Sequence, residues 1–202
     1  VRLLNDIDLK GRTFTPIGGS GTSNSFRGTF DGNGHVVKNL FINQSGVGST
    51  AFFGRTSGAT IKNFGIESGT IYCGDKSGGL TGLSSSITIE KCFNKAKVIS
   101  SAGQCGGLVG QIGGTNTITD SYNYADITST AGIAGGIVGY AASATTMTLT
   151  NCYHMGELSD SLGRCGLIGF YNTTAENLLV TKVTVNNCYA TTAIKSSAVT
   201  DN

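Results

Sequence analysis

The chain has 202 residues, enough for one domain with a buried core, and carries 31 glycines against a single proline. Fourteen basic residues balance 12 acidic ones without any basic cluster, so neither nucleic acid nor an anionic membrane surface is the expected partner. No apolar run approaches the roughly 18 residues of a membrane helix, so no membrane insertion is expected.

Residues 1–9 open in what reads as the middle of a strand, without an initiating Met, so the chain is expected to be a fragment of a larger protein, with 1–202 forming one domain. Residues 11–25 are rich in Gly, Ser and Thr, hold the sole proline, Pro16, and read as a surface excursion. Phe30 leads into the turn Asp31-Gly32-Asn33-Gly34. Val37-Lys38-Asn39 then aligns with Ile61-Lys62-Asn63, which makes this segment a further coil.

From here one phrase returns four times: Gly78-Gly79-Leu80-Thr81-Gly82, Gly106-Gly107-Leu108-Val109-Gly110, Gly135-Gly136-Ile137-Val138-Gly139 and Cys165-Gly166-Leu167-Ile168-Gly169, with a worn copy at Ala51-Phe52-Phe53-Gly54. The closing glycines are 28, 28, 29 and 30 residues apart, the mark of stacked supersecondary units. A strand-like phrase keeps step: Thr60-Ile61-Lys62-Asn63, Thr88-Ile89-Glu90-Lys91, Thr117-Ile118-Thr119-Asp120, Thr148-Leu149-Thr150-Asn151 and Thr184-Val185-Asn186-Asn187. Apolar residues alternate with Thr and polar ones, and no helical period appears, so each repeat reads as two or three short strands separated by turns. The repeat is too short for a propeller blade and lacks the helical half of a leucine-rich repeat, which leaves a parallel β-helix, an all-β solenoid of about six coils. Glycine is expected to supply the left-handed and tight-turn positions of such a coil. Leu108, Ile118 and Ile127 are expected to point inward. Asn39, Asn63, Lys91, Asp120, Asn151 and Asn187 are expected to form one ladder at a corner, where Asn tolerates left-handed backbone.

Asn5-Asp6-Ile7-Asp8-Leu9, Pro16-Ile17-Gly18, Phe30-Asp31-Gly32-Asn33-Gly34-His35 and the repeated Gly-Gly-Leu-Val-Gly with Asn-Cys-Tyr resemble the GLUG repeats of bacterial surface proteins, over essentially the whole chain. Such repeats occur in large secreted adhesins and in the non-catalytic part of some immunoglobulin A peptidases. The resemblance implies a right-handed β-helix and an extracellular or cell-surface setting, and it names no single function.

The six cysteines keep repeat phase. Cys92, Cys152 and Cys188 share one column with Ser121 between, Cys105 and Cys165 share another with Ala134 between, and Cys73 stands outside both. Thiols that fill an inward ladder are the expected reading, with a Cys152–Cys188 disulfide on adjacent coils as the alternative. No Cys-x-x-Cys pair or clustered histidine points to zinc, and no cofactor is implied.

Catalytic patterns are sparse. Asp6 and Asp8 lie on one strand face, and Asp31 sits in a turn that reads as structural rather than as a weak calcium loop. His35 and His154 read as lone structural histidines, and no His-Glu-x-x-His motif is present, so the chain is expected not to be an enzyme. Two outward stripes are the candidate surfaces. Phe93, Tyr122, Tyr153 and Tyr189, with Tyr124 nearby, form an aromatic stripe whose rings either stack on sugars or cover the sheet by packing on one another. Thr60, Thr88, Thr117, Thr148 and Thr184, with Thr119 and Thr150, form a threonine ladder of the kind seen in ice-binding proteins, although ordinary strand propensity also accounts for it. Asn43-Gln44-Ser45 and Asn172-Thr173-Thr174 match N-glycosylation sequons. The function expected from these readings is adhesion or scaffolding, with a surface protein or glycan of a host or neighbouring cell as partner. Carbohydrate binding is the alternative and ice binding a minor one. Open coil ends add possible self-association.

Overall fold

The computed structural model describes residues 1–19, 24–142, 144–161, 166–171, 182–191 and 194–196. These residues contain no α-helix, and the strands pair in parallel throughout. The coil that starts at Gly103 shows the plan. Strand Gly103–Gly106 is followed by Val109–Gly113, Thr115–Thr119, Tyr122–Asn123 and Ile127–Ser129, after which Gly132 pairs directly with Gly103. About five such turns build a β-solenoid whose equivalent stretches gather into sheets of three, nine, seven and six strands.

Each coil therefore has more strands than the two or three expected. Stretches of two residues, such as Phe93–Asn94 and Tyr122–Asn123, are too short to show alternation in the sequence. At the N-terminal end the first coil is laddered only lightly: Ile7–Asp8 pairs with Val37–Lys38, while Arg2, Thr13 and Ile17 make isolated bridges to Asp31, Phe41 and Phe53.

The inward columns are aliphatic. Ile61, Ile89, Ile118 and Leu149 pair coil to coil and are fully buried, as are Leu108 and Ile127 at the positions expected. Burying each such side chain contributes about 1.5–3 kcal/mol. At the N-terminal end the filling becomes aromatic, with Phe30, Phe52, Phe53 and Phe64 meeting edge-on or tilted at centroid distances of 5.0–6.2 Å.

The corner ladder forms, with one member misplaced. Asn63, Lys91, Asp120, Asn151 and Asn187 all adopt left-handed backbone, with φ between 49° and 53°. Asn151 Nδ2 donates to Asp120 Oδ1 at 2.8 Å, and Asn187 Nδ2 to Asn151 Oδ1 at 3.3 Å, which ties successive corners together. Asn39 is also left-handed but belongs to a different corner: Val37 pairs with Ile66, whereas Ile61 pairs with Phe30. The glycine-rich turn after Asp31 takes the corner that Asn39 was expected to hold. There Asn33 N–H and Asn63 Nδ2 both donate to Asp31 Oδ1.

The glycines of the repeat phrase do something other than adopt left-handed backbone: none of Gly79, Gly107 and Gly136 has a positive φ. They make room. A Cβ on Gly79 would stand 2.5 Å from Asn94 Cγ, one on Gly107 2.4 Å from Asn123 Cγ, and one on Gly136 2.5 Å from His154 Cγ. The three opposed residues form a fully buried polar column. Asn94 Nδ2 donates to Asn123 Oδ1 at 2.9 Å, and Asn123 Nδ2 lies 2.9 Å from His154 Nδ1. Asn94 and Asn123 also bind the backbone of Ala96 and Ala125. The column is satisfied except at its far end, where His154 Nε2 is buried without a hydrogen-bond partner.

Cysteines line the inside as expected. Cys73, Cys92, Cys105 and Cys152 are buried free thiols and Cys188 is a half-buried one, while Cys165 lies outside the described residues. In the Cys92–Ser121–Cys152–Cys188 column two backbone N–H groups meet the next side chain: Cys92 N donates to Ser121 Oγ at 3.1 Å and Cys152 N to Cys188 Sγ at 3.3 Å. Cys73 stands outside both columns, as expected, and stacks on Ser100 and Ser129 in a third column otherwise filled by hydroxyl and carboxyl side chains. Burial pushes the Cys92 and Cys152 thiols up to about 12 and Cys73 to about 11, so these sulfurs stay protonated and unreactive near neutral pH.

Two measurements test this account. Gly107→Ala should cost about 2 kcal/mol or more in urea denaturation, because its Cβ would meet backbone at 2.1 Å. Gly113→Ala, whose Cβ would meet nothing nearer than 3.8 Å, should be close to neutral. Burial lowers the His154 pKa from 6.5 to about 4, so the unfolded chain takes up this proton first as pH falls. Stability from this group should therefore be intact above pH 6.5 and decline by up to about 3 kcal/mol as pH drops to 4. His154→Asn, which extends the asparagine column, should abolish that part of the decline.

Candidate binding surface

The aromatic stripe comes from two-residue strands whose first side chain points out and whose second points in. Phe93, Tyr122, Tyr153 and Tyr189 stand on the outer side of Asn94, Asn123, His154 and Ala190. Parallel register places the rings directly above one another. Centroids are 5.1, 5.0 and 5.3 Å apart, with interplanar angles of 3°, 6° and 6°. Tyr124, 42% exposed, meets Tyr122 and Tyr153 edge-on, and its hydroxyl lies 3.5 Å from that of Tyr153.

This geometry decides how the stripe can act. Both faces of Tyr122 and Tyr153 are covered by neighbouring rings, and Phe93 lies over Gly65, where a Cβ would stand 2.1 Å from Cζ. The central rings thus offer a ligand only their edges and hydroxyls, because a sugar stacks on an open ring face. Lys95 caps the first ring, 5.2 Å from the Phe93 centroid, while ion-paired to Glu67 at 2.9 Å. Desolvation and the adjoining Tyr124 hydroxyl push the Tyr153 phenol well above its usual range, and desolvation raises Tyr122 as well.

The threonine face is broader than the sequence indicated. One column runs Thr29, Thr60, Thr88, Thr117, Thr148, Thr184. Thr115 pairs with Thr146 and Thr119 with Thr150, so two neighbouring coils each present three outward threonines. Thr29, Thr115 and Thr146 escaped the sequence reading because they fall outside the repeated phrase. The second column ends in charge, with Asp31, Lys62 and Glu90 where the two threonine-rich coils have Thr119 and Thr150.

The structure also gathers what looked scattered. His35 is not alone: its Nδ1 lies 3.2 Å from Asp6 Oδ1, and Lys38 Nζ donates to Asp6 Oδ2 at 2.9 Å. Lys38 and the Val36 N–H hold the Asp6 carboxyl down at about 2. The three side chains are partly exposed and meet across the first two coils, a surface cluster held by the Asp6–Lys38 ion pair. Among the described residues no three His, Cys, Asp or Glu side chains gather to hold a metal ion, and no helix is long and apolar enough to cross a membrane. The sequon at Asn43 sits exposed at the end of strand Leu40–Asn43, while that at Asn172 lies outside the described residues.

No protein-family model matches the chain. Half of it, 103 residues, is 31% identical to a segment of halomucin from Haloquadratum walsbyi, of whose length the match is 1%. The whole chain superposes with a TM-score of 0.67 on 71% of a Bacteroides ovatus protein provisionally named an immunoglobulin A1 protease, at 22% identity. That likeness is one of fold: both chains are β-solenoids of the same kind.

The stacked rings make a spectroscopic prediction. Ultraviolet titration should show tyrosines that ionise above the usual value of 10, and Tyr124→Phe should bring Tyr153 part-way back by removing the neighbouring hydroxyl. Ionisation of all tyrosines near 10 would contradict the covered geometry.

Proposed function

We propose that this chain is a non-catalytic module of a secreted or cell-surface protein, built from GLUG-type repeats, which holds a rigid patterned face toward a surface protein or glycan of a host or neighbouring cell. The observation that carries the reading is the coil-to-coil register: the outer side chains form columns over several coils, a repeating surface. Similarity to a halomucin segment and to the fold of a protein named for an extracellular antibody substrate supports a location outside the cell. The coil is taken as right-handed, following the strong preference of parallel crossover connections.

The test is adhesion. Fused to an inert anchor and displayed on a non-adherent cell, the chain should confer binding to a panel of bacterial, epithelial or matrix surfaces that an unstructured linker of equal length does not confer. Binding no greater than that of the linker across the panel would sink the adhesive reading.

The threonine array favours a second reading, ice binding, because two coils present three columns of threonine at strand spacing, about 4.8 Å between coils. Thermal hysteresis that is present in the parent and absent in Thr117→Lys would support it, and its absence in the parent would end it. Carbohydrate recognition by the aromatic stripe would use the tyrosine edges and hydroxyls.

A further inference from the structure

The outer face of the nine-stranded sheet bends where the backbone turns left-handed at Gly58, Ser86 and Gly114, with φ of 61°, 58° and 71°. Beside that bend lies a groove of about 280 Å³, lined among others by Arg27, Arg55, Ser57, Leu83, Ser85 and Gln111. This is near the lower size of small-ligand clefts, roughly 300 Å³. Register explains how residues so far apart in sequence meet. Arg55, Leu83, Gln111 and Tyr140 form one outward column, and Ser57, Ser85 and Gly113 the next. The bridge from Phe26 to Thr56 sets Arg27 alongside Ser57.

The chemistry of the lining is asymmetric. Two guanidinium groups stand at one end, and no described lining residue is acidic. Next come serine hydroxyls, able to donate or accept, and the apolar Leu83. At the other end Gln111 is half-exposed, yet its Oε1 is buried with no hydrogen-bond partner. A buried acceptor without a donor costs about 1–3 kcal/mol. Rotation about the broad terminal torsion of glutamine would offer that oxygen to a donor in the groove.

We propose that this groove binds an acidic saccharide, a sugar ring that carries a carboxylate or a sulfate. The Arg27 fork takes the oxyanion in a two-pronged hydrogen bond, beside the positive charge of Arg55. Leu83 receives the apolar edge of the ring, the serines meet its hydroxyls, and one ring hydroxyl donates to Gln111. A bare inorganic anion fits less well, because sulfate has no donor for the glutamine oxygen. The column continues to Tyr140, so further sugars would extend along the solenoid axis. This site lies on a different sheet from the aromatic stripe and is independent of the adhesive reading.

Calorimetric titration of the whole chain with a uronate oligosaccharide and with a sulfated one tests the proposal and separates the two sources of negative charge. At least one should bind, with affinity that falls as salt rises. Binding should weaken by about tenfold or more when the carboxylate is methyl-esterified or the sulfate removed, and also in Arg27→Gln. Arg27 is exposed, so this variant should keep the parent circular dichroism; Arg27→Lys should recover part of the loss, and Tyr122→Ala should have no effect. The proposal is overturned if neither saccharide binds, if the neutral forms bind equally, or if Arg27→Gln leaves affinity unchanged. It is also overturned if inorganic sulfate or an acidic peptide binds as tightly as the sugar. Failure here leaves the adhesive reading to its own test, in which the Arg27→Gln chain should then adhere like the parent.

Discussion

Each coil must return the backbone to a point about 4.8 Å from where it began, and in this chain the return depends on how closely the backbone can approach a polar side chain in the interior. The second glycine of the repeat phrase presses against Asn94, Asn123 or His154, with no space for a methyl group. The asparagines answer by binding both the adjoining backbone and the next coil's side chain. A buried amide is tolerated only when its donors and acceptors are met, so the glycine and the asparagine are one device split between two parts of the repeat. The aliphatic columns add most of the burial energy, but they impose no register of their own: an isoleucine packs on any neighbouring isoleucine. The asparagine column and the left-handed corner ladder fix which residue lies above which.

That fixed register has two consequences for the outside of the molecule. It aligns like residues into columns, and it then determines what those columns can do. The tyrosine column is the clearer case. Rings that were outward in the sequence pattern remain outward, yet neighbouring centroids 5.0 and 5.3 Å apart leave no room for a further ring between them, so neighbours cover each other's faces. The stripe becomes a seam that seals its sheet and exposes hydroxyls. Threonine, which has no flat face to lose, keeps its hydroxyl and methyl available in the same arrangement.

The solenoid also brings together residues with no sequence relation. Asp6, His35 and Lys38 meet across adjacent coils. Arg27, Arg55 and Gln111 line one groove although 84 residues separate the first from the last. In each case the chain separation is a whole number of coils, give or take the loops. The two groups differ in what they leave unmet. The Asp6 cluster pairs its charges internally, whereas the groove keeps a buried acceptor without a donor.

The sequence by itself determined the parallel coil, its period, the inward aliphatic columns and the left-handed corner from Asn63 to Asn187, because each is written as a residue type that recurs at one interval. It also determined the phase of Cys92, Cys152 and Cys188. Only the tertiary structure decided the rest. The place of Asn39 depended on an extra turn after Asp31, which a local match of three residues could not detect. The role of the phrase glycines was spatial rather than conformational, and it became visible only once the opposed side chain was known. The covered faces of the tyrosines and the arginine groove follow from coil spacing and from bends in the sheet, distances that no pattern along one chain encodes.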